Sequence, residues 1–391
     1  MSRHPPASEI HLSNPTPTTP HKRAYIIFFI TGNPGLIEYY RTFLTHVYGL
    51  LGSFLASGPG PAGATGLHVY GRSLCGFETA GAVNGARGEC GGGRPPFSLQ
   101  EQISGTQEAL ERVVREVGER EGTRDVRVVL MGHSVGAYIL LEVVRRLREK
   151  VQRDREAVRV VGGVCLFPTV THIAKSDSGR KATVSDLFFL HAYKKHPPSP
   201  PACISITKKE RSQIANHAQP LFNLPHFALN ASLLAKALTF LIPLSLFTLL
   251  IQKVMSFPAD AAHVTASFVK SPHGVRQALH MARDEMSEIT VDEWDDDIWG
   301  ALKPSTHPHP RPVLRFLFAK KDHWVADETR DELIKARGRL GGDEGDGIWR
   351  PVMEVDEEKG WVHGFCIKQS VSVAEKVCEW LKDIIQRDLG Q

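Results

Sequence analysis

Gly132-His133-Ser134-Val135-Gly136 is the string in this chain whose residue types and spacing suit covalent chemistry. The apolar run Val128-Val129-Leu130-Met131 leads into it, and a helix-like segment beginning Ala137-Tyr138 follows. A sharp strand-to-helix turn lifts a hydroxyl off a sheet, and glycines at 132 and 136 remove side chains that would strike neighbouring backbone. Ser134 is therefore the candidate nucleophile, with a structural turn serine as the plainer reading.

A serine hydroxyl is a weak nucleophile at neutral pH and needs a base to take its proton and an acid to orient that base. With an elbow of this kind the acid comes next in the chain and the base last. Asp322 lies just after the apolar run Val313-Leu314-Arg315-Phe316-Leu317-Phe318-Ala319 and two lysines, so it is the expected acid. Asp327 competes, but with Glu328 and Asp331 after it, it reads as the N-cap of the next helix. Of the 18 histidines, His363 lies between the last apolar run and the last helical segment, where a base belongs. His323, beside Asp322, reads as a loop residue.

An oxyanion formed at such a serine needs two backbone N–H donors, one from the residue after the nucleophile and one from a loop after an early strand. Val135 supplies the first. In Thr31-Gly32-Asn33-Pro34-Gly35 the proline has no N–H, which leaves Gly32 or, preferably, Asn33. The bland alternative is that Asn-Pro-Gly is only a type II turn.

The elements that must hold these groups follow from periodicity. Residues 24–30 are apolar without alternation, as in a strand covered on both faces of a parallel sheet. A helical stretch (36–55), a short strand (67–70), an amphipathic helix (98–119), the strand bearing the elbow (127–131), a helix (135–150) and another strand (158–167) come next. Glycine-rich loops cover 58–66 and 76–96. Strand and helix alternate again from residue 313, with a helix at 327–339, a strand near 351–355 and a final helix at 371–389. The fold class is α/β, a mostly parallel sheet flanked by helices. Residues 1–22 are expected to be a disordered tail, 23–169 and 311–391 the two parts of the core, and 170–310 an inserted helical cap, too long for a loop.

Composition narrows the function. With 47 Lys and Arg against 43 Asp and Glu, the net charge of +4 gives no general phosphate-binding surface, so nucleic acid is not expected as a partner. The six cysteines lack C-x-x-C spacing and no secretory signal precedes them, so a reducing, cytosol-facing location without a disulfide framework or zinc is expected. The acidic run Asp284, Glu285, Glu288, Asp292, Glu293, Asp295, Asp296 and Asp297 lacks calcium-loop spacing and reads as a solvated cap face. Neither a metal nor a cofactor is expected. Trp294 and Trp299 fit either an interface or ordinary packing.

Gly32-Asn33-Pro34-Gly35-Leu36-Ile37-Glu38-Tyr39-Tyr40 with Phe43, together with Gly132-His133-Ser134-Val135-Gly136-Ala137-Tyr138, resembles the lipid droplet-associated hydrolase family. The resemblance extends to Leu166-Phe167-Pro168-Thr169, to Ser176 and Gly179, and to the Asp322 and His363 segments; it departs at Thr31 and in the turn from Gly71 to Phe77. It implies an α/β-hydrolase fold, a Ser134, Asp322, His363 triad, and residence on lipid droplets or the endoplasmic reticulum.

Residues 228–251 are apolar except for Lys236. As one helix they would extend about 36 Å, enough for a bilayer core of roughly 30 Å. A single crossing, however, would put Ser134 on one side and Asp322 with His363 on the other. Pro243 favours a kink or a two-helix hairpin, so the segment (about 226–257) is expected to dip into a monolayer, lie in the interface or cover the site as a buried lid. Lys208, Lys209, Arg211, Lys253 and Lys270 flank it and are candidates to meet anionic headgroups. The expected activity is a serine esterase or lipase cleaving hydrophobic esters such as sterol esters or triacylglycerols, acting at the cytosolic face of droplets or the endoplasmic reticulum. The alternative is a droplet-surface interaction protein that keeps the fold with weak hydrolysis.

Overall fold

A computed structural model describes residues 6–14, 21–57, 65–79, 93–151, 158–181, 227–299, 309–339 and 350–390. Seven strands form one sheet: β1 (Glu9–Ser13), β2 (Arg23–Ile30), β3 (Thr65–Arg72), β4 (Val126–His133), β5 (Arg159–Leu166), β6 (Val313–Ala319) and β7 (Val352–Asp356). Their order is β1-β3-β2-β4-β5-β6-β7, parallel throughout except for β1. The non-alternating run in β2 now has its reason. Ala24, Ile26, Phe28 and Ile30 enter the core on one face, while Tyr25, Ile27 and Phe29 enter the core on the other.

Helices cover both faces, as right-handed parallel crossovers require. On one side α1 (Arg41–Ala56) and α11 (Ser370–Leu389) pack Phe43, Leu44, Val377 and Leu381 against the sheet. On the other, α2 (Leu99–Glu121) and α3 (Val135–Val151) contribute Ile103, Leu110, Leu140 and Leu147. A capping box between Ser98 and Glu101 starts α2, and Gly122, at φ 64°, ends it in the left-handed conformation that glycine adopts without strain. The stretch read as one helix over 36–55 begins instead with a 3-10 turn at Ile37–Tyr40.

Three expectations change. Part of the supposed tail is ordered: β1 pairs antiparallel with β3, Glu9 opposite Arg72 and Ser13 opposite His68. The exposed edge of β3 offers unpaired backbone groups, and His11 meets buried His68 at 3.0 Å, whose other nitrogen lies 2.9 Å from Glu121. Cys75 is disulfide-bonded, whereas Cys165, Cys366 and Cys378 are free; whether sulfurs meet depends on the folded chain and not on their spacing. Helix α10 (Asp327–Arg337) takes Ala326 as its N-cap, so Asp327 is the first helical residue, where its charge still favours the helix start.

Between β5 and β6 the described residues hold helices and no strand: a 3-10 turn at Ile173–Lys175, α4 (Asp177–Lys181), α5 (Phe227–Thr239), α6 (Leu244–Met255), α7 (Ala259–Lys270), α8 (Gly274–Glu288) and α9 (Asp296–Trp299). No single helix among the described residues is long and apolar enough to cross a membrane, but α5 and α6 form a pair bent by 105° about a break that ends at Pro243. Phe240 and Leu241 at the bend are 80% and 86% exposed, so this pair is not a buried lid. Lys270 donates to the carbonyls of Thr239 and Ile242 at 2.6 and 2.9 Å, which commits it to closing the bend and not to a headgroup. Lys208, Lys209 and Arg211 lie outside the described residues. The acidic run is not wholly a solvated face: Asp284 and Glu285 are buried, and Trp294 and Trp299 are core residues.

Candidate active site

The site is built at the carboxyl ends of β2, β4 and β6 and in the loop after β7. Ser134 sits between the last residue of β4 and the first of α3, with φ at 55°. A non-glycine residue held there stores of order 1–3 kcal/mol of strain. Its surroundings fix it: its N–H donates to Leu166 O at 3.0 Å, and its own carbonyl accepts from Ala137 N–H at 2.9 Å. A Cβ on Gly132 would lie 2.3 Å from Gly136 O, and one on Gly136 would lie 2.4 Å from Ile30 O. Only glycine fits either position.

Asp322 and His363 come to this serine from opposite directions. His363 Nε2 lies 2.9 Å from Ser134 Oγ, and Nδ1 lies 2.8 Å from Asp322 Oδ2. The second oxygen of Asp322 accepts the Trp324 N–H at 2.8 Å. Burial opposes ionisation of this carboxyl, yet His363 and the Trp324 N–H outweigh burial and hold it below the ordinary carboxylate range. Asp327, by contrast, has a side chain 65% exposed and pairs with Arg330 at 2.9 Å. His323 is in the β6–α10 loop, where its carbonyl accepts the Ser178 N–H at 2.8 Å.

Asp356 escaped the reading of the sequence, and His133, read there only as part of the elbow, makes further contacts. Asp356, at the end of β7, accepts N–H groups from Lys359 at 2.8 Å and from Trp361, and so shapes the loop that carries His363. His133 is buried beside Ser134, and burial, reinforced by His363, pushes its imidazole down to about 3. A neutral ring has one donor and one acceptor nitrogen. The His363 carbonyl can only accept, so His133 Nε2–H donates to it at 2.9 Å, and Nδ1 accepts the Tyr40 hydroxyl at 2.7 Å. Tyr40 in turn accepts the Gly32 N–H at 3.3 Å. A single chain of hydrogen bonds thus joins the loop after β2, the elbow and the loop that carries His363. In the sequence, Tyr40 closes the string Gly32 to Tyr40 that carries the family resemblance, but nothing there tied its hydroxyl to His133.

The loop after β2 lies against Ser134: a Cβ on Gly32 would be 3.0 Å from both Ser134 Cβ and His133 Nδ1. Of the two donors expected from this loop, Gly32 N–H is engaged by Tyr40, so Asn33 N–H stays the candidate. Val135, as the first residue of α3, has an N–H without a helical acceptor. The Asn33 side chain turns away to α8, where Nδ2 donates to Ala278 O at 3.0 Å and to Glu285 Oε1 at 2.9 Å. Ser176 and Gly179 form a local turn after β5, the Ser176 hydroxyl accepting the Gly179 N–H at 2.9 Å.

A parallel sheet flanked by helices, a strained serine between strand and helix, and helices inserted after β5 define an α/β-hydrolase. The profile of the lipid-droplet associated hydrolases matches residues 23–195 and 201–366, and the chain belongs to that family. It is 24% identical over 370 residues to the lipid droplet-associated hydrolase of Gallus gallus, covering 92% of this chain and 85% of that one. With the lipid droplet-associated hydrolase of Dictyostelium discoideum it shares 32% identity over 148 residues, 38% of each chain. Among solved structures it resembles a peroxisomal alpha-beta-hydrolase of Saccharomyces cerevisiae, with a TM-score of 0.48 and 10% identity over 96% of this chain and 88% of that one. The chain is a hydrolase of the lipid-droplet associated family.

Proposed function

We propose that this hydrolase cleaves carboxylic esters of hydrophobic lipids through an acyl-enzyme on Ser134. The observation that carries the reading is the unbroken path from Ser134 Oγ through His363 to Asp322, with steps of 2.9 and 2.8 Å. His363 Nε2 takes the hydroxyl proton as Oγ attacks the acyl carbonyl, and Asp322 holds the imidazolium that forms. The N–H groups of Asn33 and Val135 stabilise the tetrahedral oxyanion. Collapse breaks the bond to the alcohol, which leaves with the proton from His363. Water, activated by the same imidazole, then releases the acid and restores Ser134.

The lipid character of the substrate rests on the family and on the bent pair α5 and α6. Its exposed Leu238, Phe240, Leu241 and Leu246 form an apolar tip of the kind that enters a lipid monolayer, and exposed Lys253 lies near enough in sequence to meet anionic headgroups. A hairpin that enters and returns keeps Ser134, Asp322 and His363 on one side, at the cytosolic face of a droplet or of the endoplasmic reticulum. Sterol esters and triacylglycerols suit such an interface.

The test is fluorophosphonate labelling and a hydrolysis panel of short-chain esters, triacylglycerols and sterol esters, on wild type and Ser134→Ala. Labelling and turnover that vanish in Ser134→Ala are expected. Equal weak signals from both proteins would sink the enzyme reading and leave a droplet-surface interaction protein.

A further inference from the structure

Helix α8 of the insertion grips the loop after β2 through one side chain. Ala278 and Glu285, two turns apart on α8, both accept hydrogen bonds from Asn33 Nδ2, at 3.0 and 2.9 Å. A backbone carbonyl can only accept, so Ala278 fixes which way the amide faces, and Glu285 must accept as well. Glu285 is 5% exposed. Burial, the largest influence, pushes its carboxyl up to about 8; Asn33 acts against this and Asp284 with it. This shift favours the uncharged carboxyl near neutral pH. In that form Glu285 accepts through its carbonyl oxygen and adds no negative potential where an oxyanion has to be stabilised. Neighbouring Asp284 is otherwise engaged, accepting from Arg283 at 3.1 Å and from the Leu99 N–H at 3.3 Å.

We propose that Glu285 is a positioning residue for the oxyanion site: by holding the Asn33 side chain, it sets the direction of the Asn33 N–H in the loop whose Gly32 lies against Ser134. The inference rests on the Ser134 and Asn33 roles given above. It makes the helical insertion part of the rate-determining geometry, beyond any part it has in meeting lipid.

The experiment is steady-state hydrolysis of p-nitrophenyl butyrate by the full-length protein, with thermal unfolding recorded for each variant. Glu285→Ala is expected to lower kcat by about 10- to 100-fold with KM within about threefold, less than outright loss of an oxyanion donor. Glu285→Gln, which keeps an uncharged acceptor, is expected to restore kcat to within about threefold of wild type. In an Asn33→Ala background, which keeps the backbone N–H but not the grip, Glu285→Ala is expected to change kcat by less than about twofold. Glu285→Met keeps the volume without the acceptor and carries the same expectations if the alanine variant does not fold. The inference is overturned by an unchanged kcat, a loss confined to KM, no rescue by glutamine, or an equal loss in the Asn33→Ala background. Hydrolysis that survives Ser134→Ala would instead remove the underlying enzyme reading, and this inference with it.

Discussion

Tyr40 Oη lies 2.7 Å from Nδ1 of the buried His133, whose opposite nitrogen donates to the His363 carbonyl. Tyr40→Phe removes the hydroxyl and strands both His133 Nδ1 and the Gly32 N–H. A buried polar group left unpaired costs about 1–3 kcal/mol. Urea unfolding should report a loss of that order, with a fall in kcat for a soluble ester larger than any change in KM. A variant with wild-type stability and rate would show that the chain of hydrogen bonds holds nothing in place.

Asp322 and Asp327 lie five residues apart with opposite expected consequences. Asp322→Asn keeps the shape but cannot stabilise the imidazolium, and a loss in kcat of about 10,000-fold is expected. Asp327→Asn, at an exposed helix start, should leave kcat within about twofold and cost at most about 1 kcal/mol. Comparable losses in the two variants would contradict the assignment of the acid.

Glycine positions separate tight packing from mere flexibility. A Cβ at Gly136 would meet Ile30 O at 2.4 Å and Thr31 O at 2.6 Å, both backbone atoms. Gly136→Ala should therefore destabilise by about 3 kcal/mol or more, seen as a large drop in Tm. Gly49, within α1, has nothing within 4 Å of its added Cβ. Gly49→Ala should stabilise by roughly 0.5–1 kcal/mol. The reverse ranking in thermal scans would refute the packing argument.

Glu285 gives stability a pH dependence of definite sign. Its folded pKa is raised from 4.5 to about 8, so the native state holds this proton more tightly than the unfolded chain does. The associated stability is fully present below about 4.5 and is lost as pH rises through about 8. Such a raised value is worth up to about 5 kcal/mol. Relative to Glu285→Gln, wild type should lose stability steadily in denaturant titrations at pH 5, 6.5 and 8. A difference that stays constant across these pH values would exclude a buried titrating carboxyl.

The apolar bend can be tested apart from chemistry. Phe240→Asp with Leu241→Asp removes two side chains whose burial in lipid is worth about 1.5–3 kcal/mol each. Flotation with droplet-like emulsions should show binding weakened by at least about 100-fold, while hydrolysis of a soluble ester stays near wild type. Undiminished flotation would place the lipid contact elsewhere.

By itself the sequence determined what short-range chemistry encodes. The strand-to-helix turn at Gly132-His133-Ser134-Val135-Gly136 is written in local sterics, and the parallel core strands in unbroken apolar runs such as that of β2. Chain order and strand ends singled out Asp322 and His363 as candidates, and the fold brings both to Ser134. Pro243 likewise marked the bend between α5 and α6. Other features depend on contacts between distant residues, which no local pattern carries. Strand β1 looked like a tail because its partner, the edge of β3, lies more than fifty residues away. Asp284 and Glu285 looked like members of a solvated acidic face, yet packing of α8 against the core turns them inward to Leu99 and Asn33. Lys270 looked like a headgroup ligand and instead closes the bend. Tyr40 and His133 acquired their part only when the fold brought three loops to one buried place. In each case a polar group out of reach of water must find a partner, and only the tertiary structure decides which one is there.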